Sequence, residues 1–145
     1  QNVGAGKECR ARKAMRTGML LGVTIGIFVS ALSFFRGDIP SALFTGNQAF
    51  IARSAEYLKG FAPEAILTCL VFSYIGYFNG HGKTIPVMVQ GISASFLVRV
   101  PLSYLFSIQK GATLTTIGYA VPLASVYGII FFTICYLVFL RKMKK

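Results

Sequence analysis

Residues 17–35 read TGMLLGVTIGIFVSALSFF, nineteen positions without a charged side chain. A bilayer hydrocarbon core of about 30 Å needs roughly 20 apolar residues in a helix. In lipid every backbone N–H and C=O must be satisfied within the segment, so a run of this kind is read as a membrane-spanning helix. Working outward, three more runs follow. Residues 61–78 carry only Glu64, residues 85–107 carry only Arg99, and residues 118–140 carry no charge at all. Gly22, Gly26, Gly76, Gly91, Pro101, Pro122 and Gly128 fall inside these runs. They would weaken soluble helices but are tolerated in membrane ones.

Composition agrees. The chain has 145 residues, 54% of them hydrophobic and 13% charged, with a mean hydropathy of +0.64. A disordered chain would be poor in apolar residues, and an ordinary soluble domain carries roughly 25% charged residues. Fifteen Lys and Arg against four Asp and Glu give a net charge of +11. A nucleic-acid binder would interleave basic and aromatic residues on one soluble face. Here Phe28, Phe34, Phe35, Phe72, Phe131 and Phe132 lie inside the apolar runs instead. No nucleic-acid partner is expected; the bilayer is.

The basic residues set the expected topology. With four spans, residues 1–16, the 79–84 turn and the C-terminal tail share one face and hold ten Lys and Arg. The other face holds Arg36, Arg53, Lys59 and Lys110, and Arg99 lies within a span. The positive-inside rule then places both termini in the cytoplasm. Residues 1–16 read as a turn followed by a basic helix. Residues 46–59 read as an amphipathic helix lying in the interface, with Asn47 as its cap and Gly60 as a hinge into the second span.

Little here suggests an enzyme. Gly82-Lys83-Thr84 lacks the glycine at position 77 that a phosphate loop needs, since Tyr77 stands there. His81, the one histidine, is expected in solvent on a short turn formed with Gly80, Gly82 and Lys83. Cys9, Cys69 and Cys135 have no metal-ligand spacing, and neither a metal nor a cofactor is expected. The ionisable residues within spans, Glu64 and Arg99, are costly in lipid and are therefore functional candidates. They read either as a structural ion pair stapling two helices or as part of a cation pathway. Thr68, one turn from Glu64, and the polar residues Tyr74 and Gln90 complete the candidate pathway.

The order of motifs resembles the multidrug and toxin extrusion (MATE) transporters. Gln1-Asn2-Val3-Gly4-Ala5-Gly6-Lys7 with Arg10-Ala11 is similar to the segment after the second helix of each half of such a transporter. Tyr57-Leu58 before a span, Gly76-Tyr77-Phe78-Asn79-Gly80-His81-Gly82-Lys83-Thr84, and Val98-Arg99-Val100-Pro101-Leu102 follow in the matching order. The resemblance implies an all-α membrane segment: four helices from the second six-helix bundle, the remaining helices being absent from this chain. It implies alternating access, with cationic amphipathic drugs exported from the cell across the plasma membrane, as in a bacterial inner membrane, in exchange for Na+ or H+. Sodium-coupled relatives carry an acidic residue where this chain has Thr68, so Glu64 is the nearest carboxylate. The isolated segment is not expected to transport. Two other readings stand beside this one: a lipid-linked oligosaccharide flippase of the same superfamily, and a small non-transporting membrane scaffold.

Overall fold

A computed structural model describes residues 1–143, with side chains through Arg141. All its regular elements are helical: α1 (Glu8–Phe35), α2 (Asp38–Ala42), α3 (Gln48–Phe61), α4 (Glu64–Gly80), α5 (Thr84–Ser93), a π-helical stretch (Ala94–Arg99), α6 (Val100–Ser107), α7 (Leu114–Gly118) and α8 (Ala120–Met143). Three helical stretches are long and apolar enough to cross a membrane: Glu8–Phe35, Thr84–Ser107 and Leu114–Arg141. The bent pair α3 and α4, at 54° to each other, makes a fourth crossing if it is counted as one span. The chain is an all-α, multi-pass membrane segment.

The helices do not share the ends of the apolar runs. The first helix starts at Glu8 rather than in the apolar run, because Arg10, Arg12, Lys13 and Arg16 are themselves good helix formers. The last begins at Leu114, ahead of the expected 118, because Thr113 caps it: its Oγ1 accepts from the Thr116 N–H at 3.2 Å. Asn47 caps α3 as expected, its Oδ1 accepting from the N–H groups of Ala49 and Phe50 at 3.0 and 3.4 Å. The helix then runs through Gly60, so this glycine is no hinge. The bend falls at Ala62-Pro63, where proline has no N–H to continue the ladder.

The third span is not one uniform α-helix. Val100 N–H bonds back to the carbonyl of Ser95, five residues earlier, and residues 94–99 form a π turn. Pro101 follows directly. It cannot donate to Leu97, and a widened turn relieves its clash with the preceding carbonyl.

Close packing comes from small residues, as expected between membrane helices. A Cβ on Gly26 of α1 would stand 2.6 Å from the Ala65 carbonyl oxygen of α4, and one on Gly22 would stand 3.0 Å from Cys69 Cβ. Helices α4 and α8 instead join through aromatics. Phe132 is wholly buried; it stacks on Tyr74 and Phe78 with ring centroids 5.9 and 5.6 Å away.

The α4–α5 connection is closed by backbone geometry. Lys83 N–H reaches the Phe78 carbonyl at 2.9 Å, and Gly82 N–H reaches Asn79 at 3.0 Å. That is the Schellman pattern, which needs a left-handed residue at its penultimate position. Gly82 supplies it with φ +66°.

Candidate functional site

Helix α8 carries small and hydroxyl groups at Ser125, Tyr127, Gly128 and Thr133, and polar residues of α4 and α5 meet them. Near one end Ser125 Oγ donates to Glu64 Oε1 at 2.7 Å. Further along, Tyr127 Oη donates to Ser93 Oγ at 2.9 Å. Gln90 is buried against Gly128; a Cβ there would sit 2.6 Å from its amide nitrogen. Beyond it, Tyr74 Oη and Thr133 Oγ1 are 3.2 Å apart. Three of the four expected pathway residues, Glu64, Gln90 and Tyr74, therefore meet α8 along one seam. Thr68 lies one turn from Glu64 on α4, half-buried.

Glu64 stands at the first residue of α4. The unpaired N–H groups of a helix start favour a negative charge there. Ser125 satisfies only one of its oxygens. Oε2 is sealed from solvent and has no hydrogen-bond partner among the described residues. Buried carboxylate oxygens are normally bonded, and this one can still accept a hydrogen bond or take up a proton.

The ion pair expected between Glu64 and Arg99 is not closed. Among the described residues the salt bridges join Arg12 to Glu8, Arg36 to Asp38, Arg53 to Glu56 and His81 to Glu8. Arg99 ends the π turn with an exposed side chain. Residues 94–99 form a π turn, which uniform α-helical spacing does not anticipate. Tyr74 is likewise a packed group, stacked on Phe132 and set edge-on to Tyr136, rather than a free wall.

His81 is not solvated as expected. Its side chain is only 8% exposed, with Nε2 2.7 Å from Glu8 Oε2 and Nδ1 2.8 Å from the Tyr77 carbonyl. Tyr77 Oη donates to the other Glu8 oxygen. Sequence reading missed this cluster because Glu8 and His81 are 73 residues apart. The available signal was that Glu8 is the one acid among five basic residues. In the turn itself Gly82 takes the left-handed conformation, Gly80 is ordinary helix, and Lys83 is exposed.

No curated protein and no solved structure matches the chain. The family model described as MatE matches residues 1–105, from the N-terminal turn through the π turn into α6, leaving α7 and α8 outside the match. The chain therefore belongs to the MatE family of membrane transporters.

Proposed function

We infer that the chain is part of a secondary antiporter that exports cationic, amphipathic compounds in exchange for Na+ or H+ by alternating access. Glu64 is the carboxylate that takes the cation. The observation that carries this reading is the open Oε2: a desolvated oxygen, beside a serine hydroxyl and one turn from Thr68, suits a proton or a small cation. Gln90 and Ser93 continue the polar seam toward the middle of the third span. Competition between coupling ion and substrate for one acidic site would link the two fluxes. The basic end of the bundle faces the cytoplasm of a bacterial cell, and the substrate path is completed by further helices packed on the exposed apolar faces of α1 and α5. Those faces carry Leu20, Ile25, Phe28, Ile85 and Met88.

The test is ethidium efflux from cells expressing the whole transporter that carries these residues. Glu64→Gln keeps the size and the Ser125 bond but removes the charge, and efflux should fall at least ~10-fold with its ion dependence lost. Unchanged efflux and ion dependence would confine Glu64 to packing. If the wild-type protein moves no cationic dye but flips anionic lipid-linked sugars, the flippase reading replaces this one.

A further inference from the structure

The Glu8–Tyr77–His81 cluster lies at the end of the molecule that carries the N-terminal turn and the α4–α5 connection, well away from Glu64 at the other end of α4. Its hydrogen-bond count is informative. Both imidazole nitrogens face oxygens: Nδ1 a backbone carbonyl that can only accept, Nε2 a carboxylate. A neutral imidazole has one N–H, so against an ionised Glu8 both bonds form only when the ring carries two protons. The carboxylate is also held by Tyr77 Oη and lies 3.8 Å from Arg12 Nε.

The surroundings isolate this group. Phe139 of α8 packs edge-on against the imidazole at 5.2 Å, and Tyr77 lies over it at 4.2 Å. The charged or titratable groups around the ring are Glu8 and Arg12 from α1, Tyr77 from α4 and Tyr136 from α8, whose ring packs on Tyr77. Lys83 lies two residues on and is exposed. Tyr77 is also one wall of a groove of about 300 Å³ between α1 and α4. Gln1, Asn2 and Val3 of the N-terminal turn line the same groove.

We propose that Glu8, Tyr77 and His81 form a proton-binding clasp that fastens the N-terminal turn and the start of α1 to the α4–α5 turn. One proton on His81 closes it. Histidine is the side chain whose charge ordinarily changes between about pH 5 and 8, the range that a cytosol or an acidified compartment covers. When the ring loses its second proton, either the Nε2 bond to Glu8 or the Nδ1 bond to the Tyr77 carbonyl must break; where the Glu8 bond is lost, the Tyr77 hydroxyl alone still ties α1 to α4, and the segment over the groove loosens. Glu8 is held below the usual carboxylate range: burial pushes it up, but the hydrogen bonds from Tyr77 and His81 and the charges of His81 and Arg12 outweigh that. It therefore stays ionised where histidines ordinarily change charge. The clasp uses no residue of the Glu64 seam, and it stands or falls independently of the transport reading.

A single histidine in the sequence makes the test direct. In the full chain, uniformly ¹⁵N-histidine-labelled and reconstituted in lipid, NMR of the imidazole should show protons on both nitrogens near pH 6.5 (about the middle of the histidine range). Glu8→Gln at the same pH should leave one nitrogen bare. A spin label on the exposed Cys9, with Cys69 and Cys135 replaced by Ala, should become more mobile as pH is raised through that range. His81→Gln, which keeps a donor but cannot titrate, should remove the pH response. Tyr77→Phe removes one clasp bond and leaves the ring packing, so it should make the Cys9 label more mobile while the response to pH persists. A neutral ring in the wild type near pH 6.5, or an undiminished pH response in His81→Gln, overturns the proposal.

Discussion

Gly60 of α3 and Gly118 of α7 meet backbone to backbone: a Cβ on Gly118 would stand 3.2 Å from Gly60 Cα and 2.7 Å from the Tyr57 carbonyl oxygen. A Cβ on Gly60 would in turn overlap the Thr115 carbonyl. The contact is secured by two further bonds. Thr115 Oγ1 donates to the Glu56 carbonyl at 2.7 Å, and Leu114 N–H donates to Glu56 Oε1 at 3.3 Å. Helix α3 is therefore fixed to the start of α7, 58 residues away.

Alanine at either glycine must push the two helices apart, since the obstacles are backbone atoms that have no rotamer to change. Gly60→Ala and Gly118→Ala should each lose about 1–3 kcal/mol, the usual range for overpacking. Thermal unfolding in detergent followed by circular dichroism would measure it. Gly76→Ala is the control: nothing lies within 4 Å of its Cβ position in the middle of α4. There the substitution should be neutral or stabilising by up to about 1 kcal/mol, because alanine is the better helix former.

The α1–α4 crossing gives a graded version of the same argument. At Gly26 the added carbon meets the Ala65 carbonyl at 2.6 Å, whereas at Gly22 it meets the Cys69 side chain at 3.0 Å. The second obstacle can give by a few tenths of an ångström and the first cannot. Gly26→Ala should therefore destabilise more than Gly22→Ala, again within about 1–3 kcal/mol. Equal losses at both positions would contradict the crossing geometry described here.

How far these features were legible in the sequence follows from their range. Apolar runs of bilayer length marked the long helices, and Asn47 announced its own cap, because both signals are local. The bend at Pro63 was misassigned to Gly60: glycine signals freedom, but only the tertiary contact with Thr115 shows that this one is needed for closeness. The π turn before Pro101 was hidden because a proline inside an apolar run signals only an irregularity, without saying of which kind. At the candidate site, Glu64 was conspicuous as an acid in a span. Ser125 was not, since one serine in a charge-free run looks like any other. The partnership of His81 with Glu8 lay beyond local reading altogether.

The acid response of the fold follows from Glu8. Its carboxyl is held below the usual carboxylate range: burial opposes ionisation, while the bonds from Tyr77 and His81 and the nearby cations favour it more strongly. A group with a depressed folded-state value adds stability above its unfolded value and loses it as pH falls through the folded one. The Glu8 contribution to the unfolding temperature should therefore be complete above the ordinary carboxylate range (about pH 4) and be lost below it. In Glu8→Gln the neutral-pH value should be lower and this part of the acid drop absent. An acid profile identical in wild type and variant would show that the Tyr77 and His81 bonds do not contribute to folding.

The α4–α8 seam separates packing from hydrogen bonding. Phe132 is fully buried between Tyr74 and Phe78, so Phe132→Ala should cost about 3–5 kcal/mol, as deep aromatic truncations do. Tyr74→Phe keeps both ring contacts and loses only the 3.2 Å bond to Thr133. Hydrogen bonds between membrane helices average about 0.6 kcal/mol, because the separated helices find other partners. Its cost should therefore be several-fold smaller. Thr133 also donates to the Ile129 carbonyl at 2.7 Å, so it keeps a partner when Tyr74 loses its hydroxyl. The double variant Tyr74→Phe with Thr133→Val should then cost no more than the two single changes added together. A coupling energy above about 1 kcal/mol in that cycle would mean that the hydroxyl pair, and not the aromatic stack, holds α4 against α8.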